Sequence, residues 1–391
     1  MANRQSPVLH AHIVGWGKAV PERMVSNEDL AALVDTSDEW IRKRTGIVER
    51  HLVADGETTL TLSLEAADHA LTVANLDPQR LGLIIVATVT PNYAFPATAC
   101  LLQDALGSTG AAAFDLSAGC SGFMYGLSVA ADLLAGGRYE YALVVGAETL
   151  SRIVDWTDRG TCVLFGDGAG AVVLQASTAP GGVLSTVLGS DGSGGDLLIE
   201  PAGGSARPPS AETLAAGEHC IRMQGQQVFR FATRIMPEAA RQVLAMAGQT
   251  VEDVALFVPH QANDRILQAA ARGLGVPEER LFSNLARYGN TSSASIPIAL
   301  CEAIEQGRVR RDDLICCVGF GAGLTWAAAA IRWSQPLPLA EPSRQATAWH
   351  WAYYRLARLR SQWRRLWRRI DAQLFHLLYD RNGVRKKRPR E

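Results

Sequence analysis

The sequence of 391 residues lacks the apolar segments that membrane proteins and secreted proteins carry. It has no run of roughly 18 apolar residues, so no segment is predicted to cross a bilayer as a helix. Residues Met1 to Pro7 are polar and differ from the apolar stretch of a secretion signal. We therefore predict a location in the cytoplasm.

Motifs for disulfides, metals and nucleotide cofactors are also missing. The seven cysteines are odd in number and include no CxxC pair, which argues against a disulfide scaffold. Without CxxC or HExxH no metal site is indicated, and the absence of GxGxxG and Walker patterns favours a structural turn at Gly166 to Gly170. Cys316 and Cys317 lie in an apolar run and are predicted to be buried in a strand. We expect neither a metal nor a cofactor.

The residues that are present can form a large core. Hydrophobic residues make up 48% of the chain and charged residues 20%, as in ordinary globular proteins. The chain exceeds the roughly 250–300 residues at which a single core usually stops growing. Two packed halves are therefore expected, residues 1–180 and 181–335, with the boundary in the Gly-, Pro- and Ser-rich stretch from Pro180 to Pro209.

Short apolar runs alternate twice with segments of helical spacing. In the first half, strands are predicted at Leu83 to Val89, Ala111 to Leu116, Tyr141 to Gly146 and Ala169 to Leu174, and helices at Ala97 to Leu106 and Gly122 to Leu134. In the second half, strands are predicted at Ala255 to Val258 and Leu314 to Val318, and helices at Val228 to Ala247, Asp264 to Leu274 and Ile296 to Gln306. This alternation predicts an α/β fold with parallel sheets that are covered on both faces.

Residues 336–391 form a tail of different character. They contain 14 Lys and Arg against 4 Asp and Glu, a formal charge of about +10, which leaves about −11 on residues 1–335. Pro336, Pro338 and Pro342 separate the tail from the body, and a basic run from Arg385 to Arg390 lies near its end. Between Trp349 and Tyr379, apolar residues recur at helical spacing with arginines among them, which predicts a basic amphipathic helix. The charge asymmetry indicates an appendage with its own partner.

Cys120 is the leading candidate for a nucleophile. It lies between a predicted strand and a predicted helix, in the segment Asp115 to Met124, among the small residues Gly119, Ser121 and Gly122. A thiol at a helix N-terminus has its thiolate form favoured by the exposed backbone N–H groups, and the small neighbours leave room for a thioester. Taken locally, an inert buried cysteine explains the pattern equally well.

His260 and Asn290 are weaker candidates when each is considered alone. His260 follows the predicted strand that ends at Val258, and Asn290 lies in a Gly- and Ser-rich turn. Together with Cys120 they supply a thiol, an imidazole and an amide on three loops near β/α junctions. Active sites of open α/β sheets form at such strand ends.

Ten segments of the body, taken together, resemble the β-ketoacyl-acyl carrier protein synthase III family of the thiolase superfamily. The similar segments begin at Thr36, Arg44, Ala94, Asp115, Thr157, Gly166, Met223, Pro259, Tyr288 and Gly319. They occur in the family's order between about Val8 and Trp333, and the resemblance does not extend into the tail.

The resemblance implies a five-layered αβαβα fold with two similar halves, a homodimer, and a catalytic triad of Cys120, His260 and Asn290. It implies an oxyanion hole formed by the backbone N–H groups of Cys120 and Ala322. The remaining implied site residues are Trp40, Arg44, Arg159 and Asn263 at the CoA entrance, Arg265 on the surface that meets the acyl carrier protein, and Phe95 as a gate that closes the partner's acyl pocket.

The implied reaction is a decarboxylative Claisen condensation that starts fatty acid synthesis. An acyl-CoA first acylates Cys120, and malonyl-acyl carrier protein then loses CO2 to give an enolate. His260 and Asn290 would donate hydrogen bonds to that enolate. Two positions depart from the family pattern: Ala322 stands where glycine is common, and Gln226 stands where an asparagine often contacts CoA.

Alternatives to this interpretation concern the primer, the activity and the tail. Relatives use longer or branched acyl groups for specialised products, although a bulky Phe95 favours a short primer. A non-catalytic scaffold subunit with the same fold is a second hypothesis, but such subunits usually lose the cysteine or histidine. The basic tail would bind an anionic membrane surface or the acidic carrier protein, or pack on the acidic body. Nucleic acid is disfavoured because no nucleic-acid-binding fold accompanies the charge.

Overall fold

The computed structural model describes residues 8–334, 356, 359–364, 366–371 and 373. Residues 8–334 form thirteen strands and ten α-helices. The strands are β1 (His10–Ala19), β2 (Met24–Ser26), β3 (Glu49–His51), β4 (Leu83–Ala87), β5 (Ala112–Leu116), β6 (Tyr141–Glu148), β7 (Gly168–Ser177), β8 (Gly182–Ser190), β9 (Leu198–Ile199), β10 (Arg222–Met223), β11 (Leu256–Pro259), β12 (Leu314–Gly321) and β13 (Thr325–Arg332). The helices are α1 (Asn27–Ala31), α2 (Asp38–Thr45), α3 (Thr59–Ala74), α4 (Thr98–Leu106), α5 (Gly122–Ala135), α6 (Ala211–Ala215), α7 (Gly225–Met246), α8 (Asp264–Leu274), α9 (Leu285–Tyr288) and α10 (Ser295–Glu305).

Each of the two main sheets is mixed rather than parallel. The first has the order β1-β7-β6-β4-β5, in which β4 is parallel to β5 and β6, while β7 is antiparallel to β6 and β1. The second has the order β11-β12-β13-β8, and only β11 and β12 are parallel. The prediction of parallel sheets is therefore wrong for the strand pairs β1–β7, β6–β7, β12–β13 and β13–β8. The link between β12 and β13, residues 322–324, is far too short for a crossover, so β13 must turn back beside β12.

The two sheets and three helical layers stack in the predicted αβαβα order. Buried residues of α3 and α4 pack on the outer face of the first sheet. Buried residues of α5 and α10 fill the space between the two sheets, and those of α7 and α8 cover the outer face of the second sheet. Because successive strand residues point to opposite faces, Cys317 packs between the sheets and Cys316 packs against the outer layer. Both cysteines are buried in a strand, as predicted.

Local signals fix the helix that follows His260. Asn263 caps α8, since its side chain accepts a hydrogen bond from the Arg265 N–H, and the helix stops at Gly275 in the left-handed conformation. The bounds of α8 are those predicted from the apolar periodicity. This helix start places Asn263 and Arg265 next to the end of β11.

The described part of the tail is helical. Residues 356, 359–364, 366–371 and 373 all have helical geometry, in agreement with the predicted amphipathic helix at those positions. The three prolines, the rest of the predicted helix and the basic run at Arg385 to Arg390 lie outside the described residues. Within the described part of the chain, no helix has the length and apolar character that a bilayer crossing requires.

Candidate active site

Two loops at the carboxyl ends of strands and one loop after a short helix bring the predicted side chains together. Cys120 lies in the short turn Gly119–Ser121 between β5 and α5, His260 follows β11, and Asn290 follows α9. All three line one open cavity of about 800 Å³. That volume is in the range of ordinary ligand sites.

Cys120 is held at the junction of the two halves. Gly119 has a φ of +55°, and a Cβ at this position would lie 2.7 Å from the backbone N of Ala322. A side chain at residue 119 would therefore push the two backbones apart. The Cys120 and Ala322 backbones are thus neighbours, as an oxyanion hole formed by their N–H groups requires.

The electrostatics at Cys120 differ from the sequence-based expectation of a favoured thiolate. The pKa of the Cys120 thiol is raised to about 12, mainly by burial and to a smaller extent by the nearby Glu148 carboxylate, although a hydrogen bond with Ser292 opposes the rise. The N-terminus of α5 still favours negative charge on the sulfur. The resting thiol therefore keeps its proton. The Ser292 hydrogen bond and the N-terminus of α5 stabilise the negative charge that develops on the sulfur during attack.

His260 is buried and its ring is fixed from two sides. Its Nδ1 lies 2.5 Å from the Ser295 hydroxyl, and the Phe320 ring packs edge-on with the centroids 5.3 Å apart. Its Nε2 has no hydrogen-bond partner among the described residues. Burial lowers the pKa of His260 to about 3, so the imidazole is neutral at physiological pH.

Ser295 determines which nitrogen of His260 can act as a donor. The Ser295 Oγ accepts a hydrogen bond from the Gln261 N–H at 3.4 Å, and its own proton can then be donated to Nδ1 of His260. A neutral imidazole that accepts at Nδ1 carries its proton on Nε2. This arrangement leaves an N–H donor on the nitrogen that lacks a protein partner.

The amide of Asn290 is oriented by its own loop. Its Oδ1 accepts the Ser292 N–H at 2.9 Å, so the NH2 group is the end that can donate to a ligand. Its backbone is tied to the opposite half, because Asn290 N donates to Leu164 O at 2.8 Å and Gly166 N donates to Asn290 O at 3.0 Å. A Cβ on Gly166 would lie 2.3 Å from Tyr288 O, which supports the structural interpretation of that glycine motif.

The buried carboxyl group of Glu148 holds the loop of Asn290 by hydrogen bonds. Glu148 accepts hydrogen bonds from the hydroxyls of Ser293 at 2.8 Å, Ser292 at 3.2 Å and Thr90 at 2.7 Å. It also accepts the Val89 N–H at 3.1 Å. Burial raises the pKa of Glu148, while these donors oppose that rise. No sequence motif marks Glu148 or Ser295, since their partners lie far away along the chain.

A second, smaller cavity also reaches Cys120. Its volume is about 160 Å³, and it is shared by Cys120, Ser292 and Ala322. The rest of its lining is apolar apart from Glu200 and consists of Val89, Gly119, Leu150, Ile153, Phe165, Leu198, Ile199 and Ile221. Cys120 therefore stands between a large open cavity and a small apolar one.

The mouth of the large cavity is basic and aromatic. The guanidinium groups of Arg44 and Arg159 lie 4.6 Å and 5.2 Å from the centroid of the Trp40 ring. Arg265 lies 5.6 Å from the Phe229 ring, and both residues line the cavity. Arg159 is also paired with Asp35 at 3.3 Å. Stacked rings and free positive charge suit a ligand with an aromatic base and phosphates.

Asn263 and Phe95, the other predicted contact residues, differ in their position relative to the cavity. Asn263 lines the cavity, but both ends of its amide already have backbone partners: Oδ1 accepts from Arg265 N, and Nδ2 donates to Arg44 O at 3.0 Å. Gln226 lines the cavity as well. Phe95 lines neither cavity in the single chain and is 87% exposed. Its predicted gate function would require a second subunit.

Comparison with known proteins agrees with this geometry. Family models described as 3-oxoacyl-[acyl-carrier-protein] synthase III and its C-terminal part match residues 114–192 and 244–333. A β-ketoacyl-[acyl-carrier-protein] synthase III from Symbiobacterium thermophilum is 55% identical over 323 residues, which is 83% of this chain and 98% of that protein. The tail accounts for most of the uncovered residues.

Solved structures show the same architecture. The 3-oxoacyl-[acyl-carrier-protein] synthase III from Aquifex aeolicus VF5 is 47% identical, with a TM-score of 0.76 over 82% of this chain and 99% of that one. The priming β-ketosynthase from the R1128 polyketide pathway is 36% identical, with a TM-score of 0.79 over 86% of this chain and 100% of that one. The fold is therefore that of the thiolase-like condensing enzymes, and the chain is an acyltransferase of that class. Within the class, it belongs to the β-ketoacyl-[acyl-carrier-protein] synthase III family.

Proposed function

We propose that this chain condenses an acyl-CoA primer with malonyl-acyl carrier protein through an acyl-Cys120 intermediate, giving a 3-oxoacyl-acyl carrier protein. The observation that carries this proposal is the position of Cys120 between a large basic cavity and a small apolar one. The first suits a CoA or carrier-protein arm, and the second suits the acyl group. His260 and Asn290 share the large cavity with the sulfur, where the second thioester would lie.

In the first half-reaction, the Cys120 sulfur attacks the thioester carbonyl of the acyl-CoA. A carbon–sulfur bond forms to Cys120, the bond to the CoA sulfur breaks, and the thiol proton ends on CoA. The backbone N–H groups of Cys120 and Ala322 stabilise the oxyanion that forms on the carbonyl oxygen. Trp40 and Arg159 bind the adenine end of CoA by stacking and by charge, and Arg44 adds to the positive mouth.

In the second half-reaction, malonyl-acyl carrier protein docks on the basic mouth that includes Arg265. Loss of CO2 leaves the electron pair on an enolate, whose oxygen receives hydrogen bonds from His260 Nε2–H and the Asn290 NH2 group. The enolate carbon attacks the acyl carbonyl, the bond to Cys120 breaks, and the sulfur takes up a proton. A neutral His260 suits this role, because its Nε2–H donates a hydrogen bond to the enolate oxygen while the imidazole stays uncharged.

The small cavity supports a short primer. A cavity of about 150 Å³ holds a benzene molecule, so a volume of about 160 Å³ accepts an acyl chain of about six carbons or fewer. We predict that acetyl-, butyryl- and hexanoyl-CoA acylate the protein and that octanoyl- and decanoyl-CoA do so at least about tenfold more slowly. Rates of acylation measured by intact mass over this panel provide the test. This panel also tests the alternative of a specialised starter.

A variant sharpens the primer test. Ile153→Ala widens the small cavity and is expected to shift acylation toward the longer primers. Met246→Ala removes an exposed apolar side chain elsewhere and is the matched control. A parental preference for octanoyl- or decanoyl-CoA would contradict the short-primer assignment and favour the specialised starter.

We also propose that the active form is a homodimer. β5 lies at the edge of the first sheet, where its only strand partner in the described chain is β4, and its Phe114 is exposed. Open strand edges with exposed aromatic residues favour association. Pairing along β5 would bring the neighbouring exposed Phe95 toward the partner, as the gate hypothesis requires.

The dimer is tested by light scattering of the purified protein. We expect twice the chain mass of 42.0 kDa. Phe114→Glu places a charge on the edge and should raise the monomer fraction, whereas the exposed Leu214→Glu, on α6, should not. A wild-type protein that stays at 42.0 kDa at micromolar concentration would contradict the proposal.

We further propose that the chain has two halves and that it is located in the cytoplasm. Halves of residues 1–180 and 181–335 are consistent with the two sheets, whose strands run from His10 to Ser177 and from Gly182 to Arg332. Seven free cysteines and CoA thioester substrates support a cytoplasmic location, which cell fractionation tests. We propose in addition that the basic tail recruits an anionic partner, either a membrane surface or the carrier protein.

A further inference from the structure

The tail helix, defined as the helical residues 356, 359–364 and 366–371, is attached to the body through its polar side. Ser361 is buried, and its hydroxyl donates to the Asp104 carboxylate. Arg360 donates from Nη2 to the Gly107 carbonyl at 2.9 Å. Both contacts are made at the C-terminal end of α4, so the described contacts hold this helix by polar groups rather than by an apolar face.

The apolar side of the same helix faces the solvent. Trp363 is 71% exposed and Trp367 66% exposed. Leu356, Leu359, Leu366 and Ile370 are exposed as well. At 3.6 residues per turn these six side chains fall within an arc of about 100°, and Ser361 lies on the opposite side. An amphipathic helix that docked onto its own domain would normally bury this face instead.

Positive charge flanks the exposed apolar stripe. Arg360 and Arg364 lie beside one edge of it and Arg369 lies beside the other, and all three residues are exposed. Asp371 is the one acidic residue among the described residues of the tail helix. Tryptophan and leucine on one face, with arginine beside them, is the pattern of a helix that lies in the interface of an anionic bilayer.

The position of the helix favours lipid over the carrier protein as its partner. Asp104 and Gly107 precede the amino end of β5, whereas Cys120 follows the carboxyl end of that strand. Five strand residues span about 16 Å, so the attachment point and the active-site mouth lie at opposite ends of the sheet. A carrier protein held at the helix would be far from the mouth and would leave the apolar stripe in water.

We propose that the tail helix is a peripheral anchor that binds anionic bilayers through the stripe of Leu356, Leu359, Trp363, Leu366, Trp367 and Ile370, and that it leaves the active-site mouth pointing away from the lipid. Binding to lipid is independent of the condensation chemistry. The orientation rests on the proposed function, because it matters only if a carrier protein must reach Cys120.

Sedimentation of the full-length protein with phosphatidylcholine vesicles, with and without phosphatidylglycerol, tests the anchor. We expect binding to the anionic vesicles that weakens as salt is raised. Trp363→Ala/Trp367→Ala and Arg364→Glu/Arg369→Glu should each lower the partition coefficient at least about tenfold. The control Leu33→Ala/Leu214→Ala removes two exposed apolar side chains from the body and should bind like the parent.

Three results would overturn the proposal. The first is a parental protein that does not bind anionic vesicles, and the second is a tryptophan double variant that binds them normally. The third is a tryptophan double variant that becomes monomeric, which would make the stripe an interface between two copies. Condensation of soluble substrates should be unchanged in both tail variants, so a failure of the anchor is distinguishable from a failure of the proposed function.

The orientation of the vesicle-bound enzyme is tested separately. Condensation with malonyl-acyl carrier protein should proceed at a similar rate when the enzyme is bound to vesicles and when it is free. A loss of at least about tenfold on the vesicles, with acylation by acetyl-CoA retained, would show that the mouth faces the lipid.

Discussion

Replacement of Cys120 by alanine is expected to abolish acylation by acyl-CoA and to lower condensation by a factor of about 10⁴ or more. Removal of the nucleophile from an enzyme that works through a covalent intermediate has effects of this size or larger. His260 and Asn290 remain in place in this variant, so slow decarboxylation of malonyl-acyl carrier protein is expected to persist. Assays of all three reactions on one preparation make the comparison.

A second cysteine provides the control for this variant. Cys100 is exposed and lines neither cavity, so Cys100→Ala should acylate and condense at the parental rate. Near-identical circular dichroism of the two variants would exclude unfolding as the cause of the loss. Undiminished acylation of Cys120→Ala would mean that another group carries the acyl chain.

Substitution of His260 or Asn290 should separate the two half-reactions. His260→Ala and Asn290→Asp are expected to acylate at Cys120 but to condense about 10²–10³-fold more slowly, because each loses one donor to the enolate oxygen. Asn290→Asp keeps an oxygen for the Ser292 N–H, so the loop should stay in place, and it replaces the NH2 donor with a carboxylate oxygen whose negative charge adds to the loss. Single-turnover acylation and steady-state condensation give the two rates.

Ser295 completes this test because it acts through His260. Ser295→Ala removes the hydroxyl at Nδ1, frees the proton to move from Nε2, and should slow condensation about tenfold while acylation stays unchanged. Ser283→Ala removes a neighbouring hydroxyl that contacts Gln261 but not His260, and it should behave like the parent. If His260→Ala or Asn290→Asp condensed at the parental rate, the role of that residue would have to be withdrawn.

Periodicity predicted the elements whose burial follows one simple pattern. The bounds of α8 agree with the prediction, and α4, α5, β4 and β5 differ from it by two residues or fewer. The strand β13 was missed because Ala327 to Ala330 favour a helix by intrinsic propensity. These alanines lie between β12 and β8, where packing in the middle of a sheet overrides that propensity.

The site was predictable where its residues lie within local motifs. Cys120 and His260 each follow the end of a strand, Asn290 lies in a Gly- and Ser-rich turn after α9, and the ordered motifs point to their combination. Glu148 and Ser295 could not be found in this way, because their partners are brought near only by the fold. Glu148 meets Ser293 across 145 positions of sequence, and Ser295 meets His260 across 35.

The protonation states of Cys120 and His260 also could not be predicted from the sequence. The strand-to-helix position of Cys120 favours a thiolate, but the sequence does not tell how deeply the sulfur is buried. Burial reverses the balance in the resting protein and raises the pKa of the thiol. The same burial keeps His260 neutral, a state that a surface histidine would hold only in part near pH 6.5.

Peptide mapping of the protein after brief incubation with acetyl-CoA tests the central claim most directly. The parent is expected to gain the mass of one acetyl group on the peptide that contains Cys120, and to lose it when malonyl-acyl carrier protein is added. Loss of the label should coincide with formation of the 3-oxoacyl product. A protein that condenses without ever carrying the acyl group on Cys120, or that carries it on another residue, would contradict the account.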